Sequence, residues 1–155
     1  MERSASNGGS LNRVALSATI HCLTGCSIGE VLGMVLGRAF AWSGGTTIGV
    51  SVVLAFLFGY SLTMRPLLGS GLPLAGAAKL ALASDTASIG IMEVVDNLVM
   101  VLIPGAMEAH FDSLRFWGSL AGSLVLAGAA AYPVNRWLIA RGRGHAVVHR
   151  HHGGH

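Results

Sequence analysis

Cysteine and carboxylate side chains recur at four-residue steps inside a long apolar stretch near the start of the sequence. Cys22, Cys26 and Glu30 lie in residues 12–37, NRVALSATIHCLTGCSIGEVLGMVLG, with His21 directly before the first of them. On an α-helix this spacing places the three side chains on one face. Thiolate and imidazole groups bind transition metals, whereas carboxylates inside a membrane mark ion or proton pathways. The pattern therefore predicts a polar functional site within an apolar helix.

A second apolar stretch, residues 85–103, carries a matching polar face. Glu93, Asp96 and Asn97 follow one another at steps of three and one, which keeps them on one side of a helix. Counting residues from the same end puts both polar faces roughly 12 Å deep, at 1.5 Å per residue. Polar side chains are costly to leave facing lipid, so we expect the two faces to meet.

Together the two faces predict one candidate site. Its predicted metal ligands are His21, Cys22, Cys26, Glu30, Glu93 and Asp96. Its predicted supporting or pathway residues are Asn97, Met92, Met100, Met34 and Asp85.

Three functions fit this set of residues, and the sequence favours the first. In the first, the protein binds or transports a transition metal ion, with copper favoured over zinc or iron by the thiols and methionines. In the second, Glu30, Glu93 and Asp96 carry protons in a proton-coupled transporter or channel for a small solute. In the third, the protein is a structural subunit of a membrane assembly, and its polar residues only hold helices together. No nucleophile is paired with a base, so we do not predict an enzyme.

The composition is typical of a membrane protein. Of the 155 residues, 52% are hydrophobic and only 11% are charged, whereas soluble domains carry about 25% charged residues. The mean hydropathy is +0.63. The net charge of +3 does not indicate nucleic-acid binding, because the arginines lie at the ends of apolar segments. We therefore expect a multi-pass protein in contact with the lipid bilayer.

Apolar segments of sufficient length predict an all-α protein with four transmembrane helices. The predicted spans are residues 13–37, 46–64, 85–103 and 116–139, within a transmembrane domain of residues 12–140. A short interfacial or re-entrant helix is predicted near residues 73–83, either separate or continuous with the third span. Residues 1–11 and 141–155 are polar, and we expect both segments to be disordered.

The basic residues predict which side of the membrane holds the termini. With four spans, eight of the 10 lysines and arginines fall on one side. By the positive-inside rule this side is cytoplasmic and holds both termini. The eight residues are Arg3, Arg13, Arg65, Lys79, Arg136, Arg141, Arg143 and Arg150.

Glycines form a second row on the first span. Gly25, Gly29, Gly33 and Gly37 recur at four-residue steps, roughly 60° around the helix from the cysteine row. Small residues at this spacing let another membrane helix approach closely. The predicted partner is either the fourth span or a second copy of the chain, and so short a chain favours a homo-oligomer.

Histidines and arginines fill the C-terminal tail. One interpretation is metal capture at the cytoplasmic mouth; the other is a solvated basic tail that contacts anionic lipid. The histidines concerned are His145, His149, His151 and His152. Just before the tail, Asn135 and Arg136 at the end of the fourth span are typical of a side-chain anchor at the membrane interface.

Three sequence blocks resemble a family of short bacterial membrane proteins known only as a domain of unknown function. The blocks are HCLTGCSIGEVLG, SDTASIGIMEVVDNLVMVLIPGAM and AYPVNRWLIARGRGHAVVHRHH, which run from His21 into the histidine tail. The resemblance implies a multi-pass protein of the bacterial inner membrane. It implies no substrate, so the predicted site rests on the residues themselves.

Overall fold

Four α-helices make up the part of the chain that the computed structural model describes, residues 2–141 for the backbone and 9–141 for the side chains. Helix α1 is Glu2–Ala39, α2 is Gly44–Gly69, α3 is Leu74–Leu102 and α4 is Leu114–Ala140. No strand occurs in this part of the chain. The all-α prediction is confirmed.

The four helices form a bundle in which α1 and α3 each contact the other three helices. Helix α1 packs against α2 and α4, α3 packs against α2 and α4, and α1 also touches α3 across the bundle. Short connections make consecutive helices antiparallel. Helices α1 and α3 therefore run in the same direction, with their inner faces at the centre. We call the end with residues 40–43 and 103–113 the upper end, and the end with residues 70–73 the lower end.

Three of the helices are long and apolar enough, by length and composition, to cross a membrane. They are Gly9–Ala39 within α1, all of α2 and all of α4. This property indicates a membrane protein, as the composition predicts. Helix α3 is of similar length but carries one lysine and three carboxylates.

Helix α3 begins at Leu74 and is continuous through residue 83. Of the two arrangements predicted for this segment, the structure has the one in which it forms the start of the third helix and not a separate interfacial helix. Pro73 occupies the N-cap position, where its fixed φ and missing N–H are tolerated. Ala77 then packs with Leu67 of α2, which holds this end of α3 in the bundle.

Helices α1 and α2 extend further than the sequence predicts. Helix α1 includes residues 2–11, for which the sequence predicts disorder. Leu11 packs against an apolar cluster that includes Ile139 of α4, and a helix anchored there propagates one residue at a time toward the N-terminus. Helix α2 continues through Pro66 to Gly69, beyond its predicted end.

Helices α1 and α2 approach each other closely along the glycine row of α1. Each glycine faces a small residue of α2, and each step of four along α1 matches a step of four back along α2. The pairs are Gly25 with Gly59, Gly29 with Ala55, Gly33 with Ser51, and Gly37 with Thr47. A Cβ atom built on Gly25 would lie 2.7 Å from the Gly59 Cα atom. We call this contact the α1–α2 seam.

The seam corrects the predicted partner of the glycine row. The sequence predicts the fourth span or a second copy of the chain, whereas the structure has α2 in this position. Buried small residues occur on α2 at the matching steps, from Thr47 to Thr63. The glycine row is therefore covered within one chain, and the predicted homo-oligomer gains no support from it.

Replacing Gly29 with alanine is expected to push α1 away from α2. A Cβ atom on Gly29 would overlap the backbone of Ala55, which cannot move aside unless the whole helix shifts. We expect a loss of about 1–3 kcal/mol of stability, typical of overpacking, measured by thermal unfolding in detergent. Gly49→Ala is the control, because nothing lies within 4 Å of a Cβ atom built on Gly49. Equal melting temperatures for the two variants would contradict the seam.

Candidate functional site

The polar faces of α1 and α3 meet at three successive helical turns. At each turn one side chain of α1 lies within hydrogen-bonding reach of one side chain of α3. The pairs are Cys22 with Ser88, Cys26 with Glu93, and Glu30 with Asp96. Both polar faces therefore point into the centre of the bundle.

Glu30, Glu93 and Asp96 form a carboxylate cluster in the upper half of the bundle. Their exposed fractions are 4%, 4% and 1% respectively. The Cys26 thiol lies within hydrogen-bonding reach of the Glu93 carboxylate, and Asn97 Nδ2 lies 3.4 Å from Glu93 Oε2. Four of the six carboxylate oxygens of the cluster are buried and have no hydrogen-bond partner among the described residues. These are Glu30 Oε2, Glu93 Oε1 and both carboxylate oxygens of Asp96.

The chemistry of this cluster follows from what carboxylates can accept. An ionised carboxylate has no donor, so two neighbouring carboxylates share a hydrogen bond only when one of them carries a proton. Three ionised carboxylates in one buried site would also repel one another and lose their hydration. The cluster is therefore suited to holding protons or a cation.

A side-chain amide of α4 organises the layer below the cluster. Asn135 Nδ2 donates to Thr19 Oγ1 and to Ser88 Oγ, each over 3.0 Å. Asn135 is only 2% exposed, so the prediction of an interface anchor at this position is wrong. The amide is a buried crosslink that joins α4 to α1 and α3. In the sequence, an amide residue within a largely apolar helix is the feature that indicates such a buried crosslink.

Asp85 and His21 lie below the carboxylate cluster, on either side of a threonine of α2. Asp85 is fully buried and accepts a hydrogen bond of 2.7 Å from Ser84 Oγ. The Thr63 hydroxyl lies within hydrogen-bonding reach of Asp85, and Thr63 Oγ1 is 3.0 Å from His21 Nε2. His21 thus continues the row of the α1–α2 seam, one step below Gly25.

The structure gives no support to the predicted metal site. Within residues 9–141, no group of three or more His, Cys, Asp or Glu side chains is arranged to hold a metal ion. His21 contacts Thr63 because it belongs to the row that faces α2, whereas the cysteine row faces α3. Cys22 and Cys26 are buried free thiols.

The methionines predicted to support the site lie in apolar layers. Met34 and Met100 pack with Phe116 in an apolar cluster, one helical turn above the carboxylates of α1 and α3. Met92 packs with the two cysteines and Ile89. These contacts are those of core side chains.

An open cavity of about 420 Å³ lies at the upper end of the bundle. Its walls include Met34, Arg38 and Glu108. Arg38 donates a hydrogen bond to the backbone oxygen of Ala109. Because Met34 lies one turn above Glu30, the methionine layer separates this cavity from the carboxylate cluster.

The tail histidines lie outside the described residues. The residues concerned are His145, His149, His151 and His152. Metal capture and anionic-lipid contact by the tail therefore stay predictions.

Fold and site together define an α-helical membrane protein with a polar contact, rich in carboxylates, buried at the centre of its bundle. Residues 11–144 match the family described as a domain of unknown function, DUF4396. The chain belongs to this family, which confirms the resemblance seen in the sequence. No curated protein and no solved structure matches the chain.

Replacing Asn135 with alanine is expected to loosen the contact between α4 and its neighbours. The change leaves Thr19 and Ser88 without their shared donor, at a cost of about 1–3 kcal/mol for lost buried hydrogen bonds. Thermal unfolding in detergent measures the effect. Asn12→Ala is the control, because Asn12 is exposed and accepts its hydrogen bond from the exposed Arg136. An Asn135 variant as stable as the control would contradict the role of a crosslink.

Proposed function

We propose that this protein is a membrane transport protein whose carboxylate cluster carries protons. The observation that carries the proposal is the set of buried carboxylate oxygens that lack hydrogen-bond partners within residues 9–141. Ionisable groups buried among membrane helices mark ion and proton pathways. Among the functions that the sequence leaves open, proton-coupled transport of a small solute fits this arrangement best.

The contact between Glu30 and Asp96 supplies the mechanism. A proton on either carboxyl group gives the other a donor, so the pair attracts when one proton is shared. Without that proton the two charges repel each other in an environment that screens them little. Because Glu30 lies on α1 and Asp96 on α3, proton gain and loss change the force between these helices. That change couples the proton to a rearrangement of the bundle, and Glu93 is the neighbouring acceptor.

The proposal includes four membrane-spanning helices, with both termini in the cytoplasm of a bacterial inner membrane. Support for α3 as a span comes from the way it buries its carboxylates. Its three carboxylates are at most 4% exposed, whereas Val94, Leu98 and Val101 on the opposite face are more than half exposed. A helix with this division turns its polar face inward and its apolar face toward lipid.

Reporter fusions test the proposed orientation. A fluorescent protein joined to the C-terminus is expected to fluoresce, because that terminus lies in the cytoplasm in the proposed topology. Alkaline phosphatase inserted within residues 106–112, at the upper end, is expected to be active, because the enzyme matures only outside the cytoplasm. An inactive insertion together with a fluorescent C-terminus would overturn the four-span topology.

Charge-removing variants test the proposed proton carriers. In liposomes that enclose a pH-sensitive dye, the wild type is expected to take up protons faster than empty liposomes under an imposed membrane potential. Glu30→Gln and Asp96→Asn are expected to slow uptake at least about tenfold, a loss of roughly 1.4 kcal/mol of barrier stabilisation. Glu108→Gln is the matched control, because Glu108 is exposed.

The double variant Cys22→Ser, Cys26→Ser separates the proton proposal from metal transport. We expect it to retain proton uptake, because serine keeps a small side chain with a donor at both positions. Loss of uptake in this variant, with metal found in the wild type by elemental analysis, would overturn the proposal in favour of metal transport. Wild-type uptake no faster than that of empty liposomes would also overturn it.

A further inference from the structure

A histidine, a threonine and an aspartate from three different helices meet below the carboxylate cluster. His21 Nε2 of α1 lies 3.0 Å from Thr63 Oγ1 of α2. The Thr63 hydroxyl also lies within hydrogen-bonding reach of Asp85 on α3. His21 is half-buried and Asp85 is fully buried. One hydroxyl group thus connects two titratable side chains that lie far apart in the sequence.

We propose that His21 and Asp85, joined through the Thr63 hydroxyl, form a second protonation site that exchanges protons with the carboxylate cluster. The inference rests on the proposed function, because this site would supply protons to the same carboxylates. In the exchange step, the protonated imidazole of His21 gives its Nε2 proton to Thr63 Oγ1. The hydroxyl proton of Thr63 passes at the same time to Asp85. Both the imidazole and the carboxyl group end neutral, and rotation of the hydroxyl restores the starting geometry.

The local chemistry fits this step. A threonine hydroxyl both donates and accepts, so it can receive a proton on one side while it releases one on the other. Asp85 is held in place by Ser84, whose Oγ donates to it over 2.7 Å. From α1, Cys22 also lies close enough to act electrostatically on Asp85.

The α1–α2 seam fixes the distance between the side chains of His21 and Thr63. His21 and Thr63 are the next pair after Gly25 and Gly59, one step of four lower on α1 and one step of four further along α2. The close backbone approach at the glycines brings the two longer side chains within hydrogen-bonding distance. The position of the hydroxyl between His21 and Asp85 is therefore set by backbone packing.

Hydroxyl and thiol groups occupy the turns between this site and the carboxylate cluster. Asp85 and Glu93 are eight residues apart on α3, roughly 12 Å along the helix axis. Between them Ser88 lies within hydrogen-bonding reach of Cys22, and one turn higher Cys26 lies within reach of Glu93. Each of these groups can both donate and accept a hydrogen bond, the thiols more weakly. Short polar side chains thus occupy each turn between the two protonation sites.

Two substitutions of Thr63 test whether its hydroxyl relays the proton. Thr63→Val keeps the shape of the side chain but removes the hydroxyl, and we expect proton uptake in liposomes to fall at least about tenfold. Thr63→Ser keeps the hydroxyl and is expected to retain more than about half of the wild-type rate. Thr86→Val is the matched control, because Thr86 lies beside Asp85 in the sequence but is exposed and contacts Tyr60. Thermal unfolding of each variant checks that the fold is kept.

Infrared titration of the protonated carboxyl band gives a second measurement that needs no transport. The band of Asp85 is identified by its absence in Asp85→Asn. We expect His21→Gln to move the pH at which this band appears by about one unit, as expected for a charged neighbour. An unchanged titration, or equal uptake by Thr63→Val and wild type, would overturn the second site. Absence of uptake in the wild type would instead overturn the proposed function, and the infrared result would still decide whether His21 and Asp85 act as a pair.

Discussion

The close approach of α1 to α2 is the constraint on which the rest of the structure depends. Glycine removes the side chains that would hold the two backbones apart, and it does so at every turn of the seam. The cysteine row lies roughly 60° further around α1, so seating the glycine row on α2 turns the cysteine row toward α3. A rotation of α1 by one residue, about 100°, would point Glu30 away from Asp96. Backbone packing on the glycine face of α1 thus determines which helix the cysteine row contacts.

The carboxylate cluster lowers the stability of the folded protein, and the layers of side chains above and below it offset this loss. Buried acids without a cationic partner are unfavourable in a folded protein, and they are retained where they serve function. Above the cluster lies the apolar layer of Met34, Met100 and Phe116. Below it the Asn135 amide ties three helices together. The unfavourable charges are therefore confined between one apolar layer and one hydrogen-bonded layer.

The sequence is sufficient to predict an α-helical membrane protein and the two rows of polar residues. Carboxylates within apolar helices are costly to expose to lipid, so they face the interior of the bundle. The sequence is not sufficient to predict the helix that the glycine row contacts. The matching row of α2, from Thr47 to Thr63, mixes four residue types, so it forms no recognisable pattern in the sequence. The sequence-based site groups His21 with Cys22, although consecutive residues on a helix point about 100° apart. The neighbouring Arg136 predicts an interface position for Asn135, yet only the packing of α4 decides which way each side chain points.

The cysteines gain an explanation from this arrangement that requires no metal. Cys22 and Cys26 lie on the turns between the two proposed protonation sites, where a large side chain would separate α1 from α3. A thiol is small and apolar enough to pack with Ile89 and Met92, yet it keeps a weak donor and a weak acceptor. Alanine would fit the space and interrupt the polar row, whereas a larger polar residue would add a buried group that needs partners of its own. Cysteine satisfies both demands, so its presence in the centre of the bundle follows from the proton pathway that we propose.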